Sequence, residues 1–359
     1  MITNTKLLVR MDKVWRIGIL GLGHWYSAYG LARSLPEYPR AELVAAAWSK
    51  PGQLDAFCNT FDVDAQDYDA LLARDDIDIV HIAPPVSEIA DLAVAAARAG
   101  KHIILGKPMA MTLEEADRIV EAVESSGVTC VPFDAIMPLG EAPLLKRVQE
   151  GEIGELLLIH QTSRWSIAED WYESGRPGWF ADPAYVPGGA LIDEGIYWIG
   201  FFHWMTGAEL VEVDARTANL VHTEIGVEDW GMATFTFDNG VTATLEGAWT
   251  ISAPRKTAPS PKHNAVVRTE LIGREGEIVE QWFRDPGLSV LRAGAEQWTF
   301  ERQAGDRFGP ATPQPLDHLI DCLETGEAPI TSARDARRAF RAAMAAYESA
   351  REGRRIRLD

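Results

Sequence analysis

Apolar residues in the first third of the chain fall into short continuous runs separated by longer stretches of helical period. Residues 14–20, 43–48, 77–82, 102–105 and 128–133 read as strands, and 27–35, 89–99 and 113–126 as helices. Strands alternating with helices predict βαβ units and a parallel sheet. Right-handed crossovers then bring the C-terminal ends of the strands to one edge. Gly21, Ser49, Pro84 and Lys107 each follow a strand end, so they are expected to share that edge.

Past about residue 140 the pattern changes. Residues 154–162 read as a strand, and 164–187 as a loop crowded with aromatics, among them Trp165, Trp171, Trp179, Phe180 and Tyr185. A helix is expected over 189–205. Strand-like runs follow near 209–219, 231–237, 241–249, 266–272 and 277–282, and helices over 315–323 and 333–351 close the chain. A run of antiparallel strands flanked by helices predicts an α+β second domain.

Composition narrows the function classes. The chain has 359 residues, 47% of them hydrophobic and 24% charged, enough for two cores. Its formal net charge of −19 opposes sequence-independent binding to nucleic acid or to an anionic membrane, so neither partner is expected. Cys58, Cys130 and Cys322 are scattered and set in apolar surroundings, which reads as buried free thiols in a reducing compartment. No Cys/His cluster points to a metal, and none is expected. The one apolar run near the N-terminus, residues 7–9, is cut off by Arg10, Asp12 and Lys13, too short for a signal peptide or a membrane span. A cytoplasmic protein is the expectation.

The candidate chemistry lies at the shared edge. Gly21-Leu22-Gly23-His24-Trp25-Tyr26 follows a strand and opens a helix, as a dinucleotide-binding turn requires, although Tyr26 stands where the third glycine is usual. At the end of the second strand, an NAD-preferring site normally has Asp or Glu for the ribose 2′-hydroxyl. This chain has Ser49 and Lys50, which suit a 2′-phosphate better, so NADP is the preferred cofactor, with NAD the alternative. Farther on, Gly188-Gly189-Ala190-Leu191-Ile192-Asp193-Glu194-Gly195-Ile196-Tyr197 places an acid and a phenol on one helical face, one turn apart. With Lys107 they form a trio able to handle the proton of an alcohol or carbonyl. Taken singly, Lys107 is equally a loop charge, Asp193 a buried hydrogen-bonding residue and Tyr197 a core aromatic.

Several spaced motifs together make the chain resemble the Gfo/Idh/MocA oxidoreductases nearly end to end. Ala99-Gly100-Lys101-His102-Ile103-Ile104-Leu105-Gly106-Lys107-Pro108 is similar to that family's "AGKHVLxEKP" segment, and Trp179 to Pro183 with Gly188 to Tyr197 to its "W…DP…GGG…DxG" signature. Gly151 to Glu155 and Ala346 to Gly353 fit as well. The resemblance implies a Rossmann domain (α/β, doubly wound, mainly parallel sheet) over 14–137, after a tail over 1–13. An α+β domain with a mostly antiparallel, open-faced sheet follows over 138–359. It implies catalytic roles for Lys107, Asp193 and Tyr197. It places the cofactor along the turn from Gly21 to Tyr26, Ser49-Lys50, Ala83-Pro84-Pro85 with Glu88, and Gly106-Lys107-Pro108.

Four departures stand out. Tyr197 replaces a frequent His, which resembles the glucose–fructose oxidoreductase, xylose dehydrogenase and dihydrodiol dehydrogenase branch and agrees with NADP. Gly106 replaces a common Glu and should free Lys107 of one ion partner. Glu88 and Pro85 stand where His and Asn are frequent.

The expected reaction is reversible hydride transfer between nicotinamide and a secondary alcohol or carbonyl of a sugar, polyol or cyclic diol. Lys107 is expected to favour the Tyr197 phenolate, and Asp193 to orient substrate or Lys107. Trp165 and Trp179 would offer flat faces to a sugar. A glycoside-cleaving use of bound NAD and a non-catalytic sensor are the alternatives. A homodimer or homotetramer is expected by resemblance.

Overall fold

The structure, a computed structural model, describes residues 13–167, 172–173, 176–251, 265–283, 285–302 and 314–358. Trp171 and nearly all of the expected N-terminal tail lie outside the described residues.

The first sheet is built from β1 (Trp15–Leu20), β2 (Ala41–Ala47), β3 (Asp64–Gln66), β4 (Ile79–Ile82), β5 (His102–Leu105) and β6 (Cys130–Pro132). All its pairings are parallel, in the order β3-β2-β1-β4-β5-β6. The order reverses direction between β1 and β4, which opens a crevice at the strand C-terminal ends. Its intervening helices are α1 (Trp25–Ser34), α2 (Pro51–Phe61), α3 (Tyr68–Leu72), α4 (Val86–Arg98) and α5 (Leu113–Ser126). The strands are apolar throughout because both faces are covered. On one face Ile19 and Ala46 pack with Ala28 and Ala32 of α1 and with Leu54 and Phe57 of α2.

The chain then runs through α6 (Ile136–Gln149), β7 (Leu156–Arg164), the short pair β8 (Tyr172–Glu173) and β9 (Arg176–Pro177), and α7 (Ala190–Thr206). There follow β10 (Leu210–Ala218), β11 (Trp230–Phe237), β12 (Thr242–Ala248), β13 (Val266–Gly273), β14 (Gly276–Gln281), β15 (Leu288–Arg292) and β16 (Thr299–Arg302). Helices α8 (Gln314–Thr325) and α9 (Ala333–Glu352) and the edge strand β17 (Ile356–Arg357) end the described chain.

These strands make a sheet in the order β16-β15-β14-β13-β7-β12-β11-β10-β17, antiparallel except for β7 with β12. Period-two alternation sets its two faces. Along β11, Gly231, Ala233, Phe235 and Phe237 are buried, while Met232 is exposed and Thr234 and Thr236 are half-buried. The buried face carries α7, and α9 packs between the domains: Arg337 of α9 pairs with Asp117 of α5 at 2.8 Å.

Helix α8 lies against the first sheet, although it comes from the far end of the chain. Leu316, Leu319 and Ile320 share a buried cluster with Ile17, Ile79, Ile104 and Val131, one residue from each of four strands. No helix among the described residues is long and apolar enough to cross a membrane.

Candidate active site

The turn after β1 is built for close approach. Gly21 has φ of +85°, and a Cβ there would lie 2.5 Å from the backbone nitrogen of Pro84. Only glycine meets both conditions. The turn is pinned by Gly21 N–H donating to the Ala47 carbonyl and His24 N–H to the Ala83 carbonyl, both at 2.8 Å. No side chain caps α1, and with the Ser27 N–H taken up by the His24 carbonyl at 3.0 Å, the amides of Trp25 and Tyr26 are the ones that face an anion. Beside it runs a groove of about 470 Å³ whose lining includes Leu22, Trp25, Arg33, Trp48, Lys50 and Trp179. Lys50 Nζ lies 5.2 Å from the Trp48 ring centroid, and the Arg33 guanidinium 5.6 Å from that of Tyr29. Free helix amides, flat indoles and two cations fit a dinucleotide with an additional phosphate.

The neighbouring polar residues are already engaged with one another. The Tyr68 hydroxyl donates to Glu88 at 3.3 Å. Burial pushes the Glu88 carboxyl up, against the opposing influence of Tyr68 and Lys50. Gly106 has a packing reason: a Cβ there would lie 2.6 Å from the Ile82 carbonyl and 2.9 Å from Ile89 Cδ1. Strand β4 and helix α4 leave no room for a glutamate.

Lys107, just past the end of β5, is 4% exposed. It is not left without an ion partner. Its ammonium donates to the Asp193 carbonyl at 2.8 Å and to Asp193 Oδ1. Asp193 Oδ2 accepts from Trp249 Nε1 at 3.1 Å. Burial alone would discharge the lysine, but the Asp193 carboxylate, with Tyr26 and Glu194, more than offsets this and holds the ammonium above its usual range.

Tyr197 lies one turn beyond Asp193, as its spacing predicts, and Lys107 Nζ sits over its ring, 4.8 Å from the centroid. The expectation that Lys107 would favour the Tyr197 phenolate is not met. Burial, then Tyr26 and Asp193, push the Tyr197 phenol well above its ordinary value. The same ammonium lies 5.8 Å from the Tyr26 ring centroid. Lys107, Asp193, Tyr197 and Tyr26 thus form one cluster, with Phe180 5.7 Å from the ammonium.

Helix α7, which carries Asp193 and Tyr197, is clamped from outside. Both oxygens of buried Glu228 accept from its first turn, from Gly189 N–H and Leu191 N–H at 2.9 Å each. A Cβ on Gly189 would lie 1.9 Å from the Glu228 carbonyl, which explains the glycine there.

The two tryptophans proposed for substrate stand apart. Trp165 donates its indole N–H to Ser163 Oγ at 3.0 Å and packs edge-on against Phe283 at 5.7 Å. Trp179 lies on the cofactor side, its ring 5.0 Å from His24 and 4.4 Å from Phe180. Sequence reasoning missed Glu194: it is half-buried and accepts from Ser163 at 3.4 Å, and burial and the Asp193 charge push its carboxyl well up. Its place immediately after Asp193 was the available signal. Among the described residues no group of three metal-ligating side chains occurs.

Known proteins resemble this chain along most of its length. Residues 15–133 match the family described as "Oxidoreductase family, NAD-binding Rossmann fold", and residues 144–279 the "GFO/IDH/MocA C-terminal domain". The chain is 27% identical over 357 residues to scyllo-inositol 2-dehydrogenase (NAD(+)) of Bacillus subtilis, covering 97% of this chain and 98% of that one. It is also 27% identical to D-xylose 1-dehydrogenase (NADP(+)) 2 of Haloferax volcanii, over 81% and 84% of the two chains. The solved structure of levoglucosan dehydrogenase in complex with NADH superposes with a TM-score of 0.82 at 22% identity, over 97% of this chain and all (100%) of that one.

Proposed function

This chain belongs to the GFO/IDH/MocA oxidoreductases, an NAD-binding Rossmann family of enzymes, and we propose that it moves a hydride between a nicotinamide cofactor, NADP by preference, and a secondary alcohol or carbonyl of a sugar or polyol. The observation that carries this reading is the buried Lys107–Asp193 pair set against Tyr197, at the strand edge that also holds the uncapped end of α1. Relatives that act on inositol and xylose support the substrate class.

The cofactor, when bound, accepts or returns the hydride at its nicotinamide ring. The amides of the Gly21 turn and of α1 would hold its pyrophosphate, and Lys50 with Arg33 its 2′-phosphate. Relatives at equal identity use NAD in one case and NADP in the other, so the preference rests on those two cations and on the absence of a carboxylate at residue 49.

Lys107 would donate a hydrogen bond to the substrate oxygen and so stabilise negative charge developing there. Asp193 orients the ammonium. Tyr197 exchanges the hydroxyl proton, and Trp165 with Glu194 and Ser163 would face the substrate's other hydroxyls. The open outer face of the second sheet, where Met232 and Leu158 are exposed, would pair with a second copy.

A turnover screen with NAD and NADP against polyols, aldoses, glycosides and trans-dihydrodiols examines the reading. Net reduction of either cofactor by a polyol or aldose supports it. Glycoside cleavage without net cofactor turnover would replace it.

A further inference from the structure

Each oxygen of the Asp193 carboxylate has its own partner. Oδ1 takes the Lys107 ammonium, and Oδ2 accepts from the indole N–H of Trp249 at 3.1 Å. Trp249 follows the end of β12 and is fully buried. Its own position is fixed from several sides. Its backbone N–H donates to the Asp229 carbonyl at 2.8 Å, and its carbonyl accepts from His222 Nε2 at 3.1 Å. The carboxylate of Asp229, also fully buried, gathers the amides of Leu220, Val221 and His222 at 2.7, 2.7 and 2.6 Å. The loop that meets Trp249 is thus itself tied down. The Phe180 ring stands edge-on to the indole at 6.3 Å. Two residues before Trp249, a Cβ on Gly247 would lie 2.9 Å from the Ala190 carbonyl and 3.1 Å from Leu191 Cα. That glycine lets β12 press against the start of α7 and sets the height of Trp249 against Asp193.

We propose that Trp249 is a positioning residue for the reaction: its indole N–H fixes the Asp193 carboxylate and, through it, the direction in which Lys107 presents its ammonium to substrate. The proposal rests on the hydride-transfer reading and deepens it by naming what aims the lysine. An ammonium has three N–H donors. Two of those of Lys107 are committed to Asp193, one to the carboxylate and one to the backbone carbonyl at 2.8 Å. Where the third points therefore follows from where Asp193 stands.

The side chains of Lys107 and Asp193 are 4% and 6% exposed, so a carboxylate oxygen left without a donor here is costly. Without the indole N–H, the carboxylate turns both oxygens to the ammonium, and the third N–H turns away from the substrate oxygen. Packing alone does not account for the tryptophan. A buried indole N–H needs an acceptor, and this one meets a charged group of the site.

Two measurements on the full chain test it. The first needs no substrate. In the unloaded protein the Trp249 indole proton is assigned by its absence when Trp249 is replaced by benzothienylalanine. Its NMR resonance is expected to move upfield in Asp193→Ala, because a charged acceptor is lost. An unmoved or downfield-shifted resonance would overturn the proposal.

The second is turnover of the benzothienylalanine protein. That side chain has the shape of tryptophan with sulfur in place of the N–H, so the packing stays and one donor goes. Its kcat on the polyol or aldose found by screening is expected to fall roughly tenfold. KM, and cofactor Kd from calorimetry, should stay within about twofold, since the aim of Lys107 matters most as charge develops on the substrate oxygen. Trp249→Phe, which also loses ring volume, is expected to fall at least as far. Full turnover in the benzothienylalanine protein, whatever Trp249→Phe does, would leave Trp249 a packing residue and overturn the proposal alone. Full turnover in Asp193→Ala would instead overturn the hydride-transfer reading on which it rests.

Discussion

Tyr347 of α9 donates its hydroxyl proton to Glu228 at 2.7 Å, and the same oxygen accepts from Ile192 N–H at 3.1 Å. With the two amides that Glu228 itself takes up, this locks the start of α7 to two distant parts of the chain. Asp193 and Tyr197 therefore inherit their position from groups outside the Lys107 cluster. Removing one oxygen acceptor should be felt at both levels. Glu228→Gln is expected to cost about 1–3 kcal/mol of stability, because a buried amide donor loses its partner. Thermal unfolding and kcat should fall together. An unchanged melting temperature would show that α7 is held by packing alone.

Asp134, buried beside the site, gives the chain a predictable pH dependence. Burial pushes its carboxyl up to about 6, against its own backbone hydrogen bond and Lys107. The unfolded value is about 4, so the folded state binds this proton more tightly. The stability it contributes is complete below about pH 4 and is lost as pH rises through about 6. Asp134→Asn should thus stabilise the protein at pH 8 relative to wild type by up to about 3 kcal/mol, with little gain at pH 4. Urea unfolding at both pH values measures it. Parallel pH curves for the two proteins would contradict the assignment.

Gly106 is confined by Ile82 and Ile89. Gly106→Ala is expected to destabilise by about 1–3 kcal/mol through overpacking and to move Lys107 on the adjoining bond. Chemical denaturation together with KM reads both effects. A neutral result would mean that β4 and α4 yield more easily than their contacts indicate.

The alternating strands and helices of the first domain were legible because strands buried on both faces appear as unbroken apolar runs. Helix α2 escaped notice because only Leu54, Phe57 and Cys58 of it are buried. Helix α6 was hidden by Pro138, Gly140 and Pro143, residues that sequence reasoning takes as breakers. That α8 covers the first sheet could not be read from its own amphipathic pattern, which says that it packs but not against what. In the site, Lys107, Asp193 and Tyr197 follow from strand ends and helical spacing. Glu228 and Asp134 draw their importance from contacts with distant residues, and no local pattern marks those. The electrostatics follow from the same kind of contact, since proximity of Lys107 to Tyr197 does not reveal that burial, Tyr26 and Asp193 act on the same phenol.

The cofactor preference is open to direct measurement. Lys50→Ala and Arg33→Ala are each expected to weaken NADP binding roughly tenfold to a hundredfold, the value of one charge-assisted hydrogen bond. NAD binding should change by no more than about threefold. Equal losses for both cofactors would show that these cations act on the groove's shape rather than on a phosphate.

On the proposed reading, the Lys107–Asp193 pair and its phenols handle the substrate's proton. Tyr197→Phe tests it most directly, since it removes one hydroxyl and leaves the ring under Lys107. Steady-state turnover on the polyol or aldose identified by screening should drop by at least about a hundredfold, with NADP affinity within about twofold of wild type. Turnover equal to wild type would contradict the account.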